Sequence, residues 1–69
     1  IEEEDTFALT PREKEILSLA SQGFSSKEIA EKLFISTYTV NRHRQNIREK
    51  FNAKSLIEAI DIARRKGIL

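Results

Sequence analysis

Apolar residues recur at helical spacing in four stretches of this chain, and the breaks between them fall at residues that stop or start helices. Ile16, Leu17 and Ala20 form the inner stripe of a first helix. Its start is marked by Thr10-Pro11-Arg12-Glu13: Thr10 can cap orphan amides, Pro11 suits the first helical position, and Glu13 can reach back to close a capping box. This helix should run to about Gln22, with Gly23 as its left-handed stop. A second helix opens at Ser25, three residues before Glu28, and carries Ile29, Ala30 and Leu33 on one side. The run breaks at Phe34-Ile35-Ser36 and a new periodicity begins at Val40, so two helices meet within about four residues.

Ser36 is a good N-cap for the third helix, which should span residues 37 to 51 or so. At about 100° per residue, Ile47 and Phe51 fall within about 20° of Val40, and these three make the buried stripe. Ile35 and Val40 should both be buried between the two helices that meet at the turn. Tyr38, Asn41, Arg42, Gln45, Asn46 and Glu49 lie on the opposite side. A fourth helix starts at Ser55, again three residues before a Glu, and runs from Leu56 to about Lys66, ending at Gly67. Leu56, Ala59, Ile60 and Ala63 are its core face, while Arg64, Arg65 and Lys66 sit at its negative dipole end. The fold class is all-α: a four-helix bundle with a central helix-turn-helix.

Composition limits what such a bundle can be. With 69 residues there is room for one small domain. No run is apolar enough to span a membrane, and the acidic start is unlike a signal peptide, so a cytoplasmic protein is expected. There is no Cys, which removes disulfides and thiolate metal sites. Neither a cofactor nor a metal site is indicated. Residues 1 to 8 read as the remnant of an acidic linker, ahead of a domain at 9 to 69.

Charge changes the picture once it is placed along the chain. The formal net charge is +1, but setting aside the −4 of Glu2, Glu3, Glu4 and Asp5 leaves +5. Between residues 41 and 54, Arg42, Arg44, Arg48, Lys50 and Lys54 face Glu49 alone, a local +4 that can meet a phosphate backbone. The exposed side of the third helix also offers groups suited to base edges, Arg for guanine and Asn or Gln for adenine. That combination points to a helix that reads duplex DNA in the major groove.

On the fourth helix, Ile57 and Ile62 flank the core face. Either the N-terminal segment or Ile68 and Leu69 cover them, or Ile57, Asp61 and Arg64 form a small self-association surface. An enzyme is not indicated. The lone His43 has no Cys or Ser partner, no HExxH or glycine-rich phosphate loop is present, and the carboxylates fit capping roles.

Leu9-Thr-Pro-Arg-Glu13, Ile16-Leu17, Gly23, Ser26-Lys-Glu-Ile-Ala30, Leu33, Ile35-Ser36, Thr39-Val40, His43, Ile47 and Lys50-Phe51 together resemble the LuxR-type helix-turn-helix domain over about residues 9 to 69. That domain is found in quorum-sensing regulators and as the output of many response regulators. The resemblance implies a bacterial transcription regulator that binds double-stranded DNA. It marks Glu13, Leu17 and Gly23 as scaffold residues. By position it makes Thr39, Val40, Asn41, Arg42 and Gln45 base-facing, and His43, Arg44 and Lys50 contacts to phosphates. Ser36, Thr37, Tyr38 and Arg48 join the phosphate set from the start and the basic side of the same helix. It further implies a weak homodimer through the fourth helix, which favours the self-association reading of Ile57, Asp61 and Arg64. RNA polymerase is a candidate second partner. Three positions depart from the family pattern. Asn41 replaces a frequent Lys or Arg, Leu56 a frequent Arg, and Phe34 a frequent Gly, where the bulky ring is expected to pack over the turn. The alternative of a different class is a sigma-factor-like module that reads promoters and contacts polymerase.

Overall fold

A computed structural model describes Leu9 to Leu69; residues 1 to 8, read above as a linker remnant, lie outside the described residues. The described residues form four helices, α1 (Pro11–Ser21), α2 (Ser26–Leu33), α3 (Thr37–Lys50) and α4 (Leu56–Arg65). Each start is set by a hydroxyl on the residue before it. Thr10, Ser25, Ser36 and Ser55 each accept the amide N–H three residues on, at 3.0 to 3.2 Å.

The capping boxes of α1 and α2 close reciprocally, with the Thr10 amide donating to Glu13 Oε1 at 3.0 Å and the Ser25 amide to Glu28 Oε1 at 2.8 Å. The one expected at α4 does not. Glu58 accepts instead from the Lys54 amide at 2.7 Å. Ser55 has φ −145°, against −72° and −75° at Thr10 and Ser25, so the cap backbone at α4 differs from those at which the box closes.

Helix ends follow one plan. After α1, α3 and α4 a residue with positive φ (Gly23, Asn52 and Gly67) lets the following amide reach back to the carbonyls of Leu19, Arg48 and Ala63. After α2 the same left-handed position is held by Phe34, with φ 59°. The ring does not pack over the turn as expected, for it is 93% exposed. The left-handed backbone turns the side chain outward, and the half-buried Leu33 and Ile35 pack on the core beneath it. Phe34 therefore carries the strain of an L-residue at positive φ with no burial in return. Phe34→Gly should raise stability by about 0.5 to 1 kcal/mol, read as a higher melting temperature. An equal or lower one would show that the ring does hold the turn.

The core joins all four helices. Ile16 and Leu17 from α1, Ile29 and Ala30 from α2, Val40 and Ile47 from α3, and Leu56, Ala59 and Ala63 from α4 are buried, with Phe51 just after α3. The Val40, Ile47 and Phe51 stripe is as the helical angles predict. Ile35 is half-buried at the rim rather than enclosed. One buried charge ties the bundle together: the Glu13 carboxylate on α1, 4% exposed as a residue, accepts from Lys50 Nζ on α3 at 2.7 Å. Among the described residues no helix is long and apolar enough to cross a membrane.

Candidate nucleic-acid interface

Because its stripe of Val40, Ile47 and Phe51 is fixed in the core, α3 must present the other side outward. Asn41, Arg42, Gln45 and Glu49 are all exposed there, and Asn46 is half-buried. The first turn adds Thr37 and Tyr38, both exposed, and Thr39, half-buried with its hydroxyl 2.9 Å from that of Ser36. The Ser36 hydroxyl is thus shared between Thr39's side chain and amide, and fixes the start of the helix.

Two of the sequence-derived positions land elsewhere. Val40 is 0% exposed, so it cannot face bases. Its helical angle placed it in the core while the resemblance placed it at DNA, and the angle prevails because Val40 packs into the core cluster with Ile29, Ala30 and Ile47. Lys50 was expected at phosphate. Its ammonium is on Glu13 instead, since α3 ends beside the start of α1 and a buried carboxylate there requires a cation.

Electrostatics divide the remaining cations. Arg44 and Arg48 lie one turn apart and are half-buried. Burial, then the Arg48 charge, pushes the Arg44 guanidinium down from its ordinary value. It stays cationic at neutral pH, so this pair of partly desolvated like charges is relieved by a nearby anion. Arg42 is exposed. His43 is half-buried, with Nδ1 enclosed and without a hydrogen-bond partner, and its charge acts on Glu13 of α1.

Two side chains orient the amides of the exposed face. Gln45 Nε2 donates to Glu49 Oε2 at 3.2 Å, within α3. Ser26 Oγ, on α2, donates to Asn41 Oδ1 at 2.8 Å. Ser26 belongs to the motif that carries the family resemblance, but nothing in the sequence assigned it a role at the site, because its partner is 15 residues away and no local pattern signals the contact.

On α4, Ile57 is 79% exposed, which excludes the reading in which the C-terminal residues cover it. Asp61 pairs with Arg65 at 3.0 Å, and Arg64 donates to the Ser21 carbonyl at the end of α1 at 3.2 Å. A shallow groove of about 580 Å³ between α1 and α2 is lined by Pro11, Leu19, Lys32 and Leu33 among others, and includes none of the candidate DNA residues. Among the described residues no cluster of His, Cys, Asp or Glu could hold a metal.

Comparison with known proteins identifies the family and the fold. Residues 8–63 match the family model described as bacterial regulatory proteins, luxR family. The oxygen regulatory protein NreC of Staphylococcus carnosus is 48% identical over 61 residues, which cover 88% of this chain and 28% of that protein. The virulence-factors transcription regulator BvgA of Bordetella pertussis is 42% identical over 60 residues, 87% of this chain and 29% of that one. The crystal structure of the response regulator ChrA, from a heme-sensing two-component system, superposes with a TM-score of 0.85 at 40% identity, covering 90% of this chain and 31% of ChrA. The chain spans less than a third of the length of each of these relatives.

Proposed function

The chain belongs to the luxR family of bacterial regulatory proteins, and on that premise we propose that it binds duplex DNA sequence-specifically as the DNA-reading part of a cytoplasmic transcription regulator. The supporting observation is the exposed face of α3, where Asn41, Arg42 and Gln45 stand opposite a stripe locked in the core. With α3 in the major groove, these three meet base edges, and Thr39 sits at the margin of the same face. Ser36, Thr37, Tyr38, His43, Arg44 and Arg48 then border the groove and contact phosphates. Neither the family match nor the relatives support the sigma-factor reading.

Base and phosphate contacts separate by their response to salt. Arg44→Ala should weaken binding to every duplex alike and lower the salt slope by about one unit. Arg42→Ala should instead cost about 1 to 3 kcal/mol at particular base pairs and relax preference there. Titrations against matched and mismatched duplexes distinguish the two, and identical behaviour of both variants contradicts the assignment.

Ile57, with Asp61 and Arg64 beside it, forms a weak two-fold contact between copies through α4. An exposed isoleucine is covered in this way, and two reading helices are set about one DNA turn apart. One helix per subunit is a small interface, so DNA supplies most of the pairing. Ile57→Asp should leave the fold and half-site affinity unchanged while reducing cooperative filling of a paired site. Unfolding of this variant, or full cooperativity in it, overturns the surface.

A further inference from the structure

We propose that Ser26 is a specificity-determining positioning residue that turns the Asn41 amide so that it reads an acceptor edge, guanine, rather than adenine. This rests on the DNA-reading role of α3. Ser26 is the first residue of α2, and its hydroxyl takes no part in capping that helix. Ser25 supplies the capping oxygen, accepting the Glu28 amide at 3.2 Å, and the Glu28 carboxylate closes the box on the Ser25 amide. The Ser26 hydroxyl is free to cross to α3, where it donates to Asn41 Oδ1 at 2.8 Å.

An asparagine recognises adenine with both ends of its amide, the carbonyl accepting from the N6 amino group and the NH2 donating to N7. With Oδ1 drawn back to α2, the carbonyl is withdrawn from that pairing, and the NH2 becomes the outward end of an exposed side chain. A group that presents donors alone matches the guanine edge, whose O6 and N7 are both acceptors. Gln45, one turn further along the same face, is held the other way round. Its NH2 is the end tied down, to Glu49, and its carbonyl is the free end. The base pair read by Gln45 is thus an internal control for the one read by Asn41.

The test is selection from a pool of short randomised duplexes by the 69-residue chain and its variants. Wild type should select guanine at one base pair, which Asn41→Ala identifies by losing preference there. Ser26→Ala frees the carbonyl and should shift the guanine-to-adenine ratio at that pair towards adenine by about fivefold or more, leaving the Gln45 pair and the salt slope unchanged. Ser26→Thr restores the hydroxyl and should restore guanine. In the Asn41→Ala background, Ser26→Ala should be silent. A Ser26→Ala profile identical to wild type, or one changed equally at every position, overturns the positioning role. A wild-type chain that selects no sequence overturns the DNA-reading role itself.

Discussion

Ile47→Ala should remove about 3 to 4 kcal/mol of folding stability, a large share of what a domain of this size holds. Ile47 is fully buried in the stripe between Val40 and Phe51, and that stripe joins α3 to the core residues of α1, α2 and α4. Truncation loses the transfer energy of the removed methyl groups and leaves a cavity that a backbone fixed by four capped helices cannot collapse to fill. Chemical denaturation would show the midpoint falling with the slope unchanged. A loss below about 1 kcal/mol would mean that α3 is not held by this stripe, and the outward direction of its polar face would then lose its physical basis.

Lys50→Met should cost about 2 to 3 kcal/mol at neutral pH, and the penalty should shrink as pH falls. Burial pushes the Glu13 carboxyl up. Hydrogen bonds from Lys50 and the Thr10 amide, with the charges of Lys50 and His43, outweigh this and hold it below the ordinary carboxylate value. A carboxyl depressed in the folded state contributes stability that is present above its unfolded pKa and lost as pH falls through its folded one. Wild type therefore loses this contribution in acid. In Lys50→Met the carboxylate is buried without its cation and stabilises little at any pH, so the two melting curves converge at low pH. A difference that stays constant with pH would show that Lys50 acts only through its packed alkyl stem. The same variant should keep the wild-type salt slope for DNA, unlike Arg44→Ala, because the Lys50 ammonium is spent on Glu13.

What could be read from the sequence was local. The N-caps Thr10, Ser25, Ser36 and Ser55, the stop at Gly23 and the α3 stripe depend on residues within a few positions of one another, and helical geometry alone relates them. Apart from the Lys54–Glu58 bond that replaces the box expected at α4, the contacts that escaped are between helices. Glu13 and Lys50 are 37 residues apart, Arg64 and the Ser21 carbonyl 43, and Ser26 and Asn41 15. Their meeting depends on how the helices cross, which no periodicity encodes. Phe34 fails for another reason. Size and hydrophobicity argued for burial, but the turn requires a left-handed backbone there, and that backbone decides where the side chain points. The exposed face of α3 was legible because the core face is, one being the complement of the other.

Whether α3 reads DNA is tested most directly by titrating the isotope-labelled chain with a duplex it selects, while following every backbone amide by nuclear magnetic resonance. The expected shifts concentrate in Ser36 to Arg48 and at Ser26, grow weaker with salt, and leave the α1/α2 groove around Leu19 and Leu33 unmoved. Shifts centred on that groove or on α4, with Asn41, Arg42 and Gln45 unchanged, would contradict the reading role of α3.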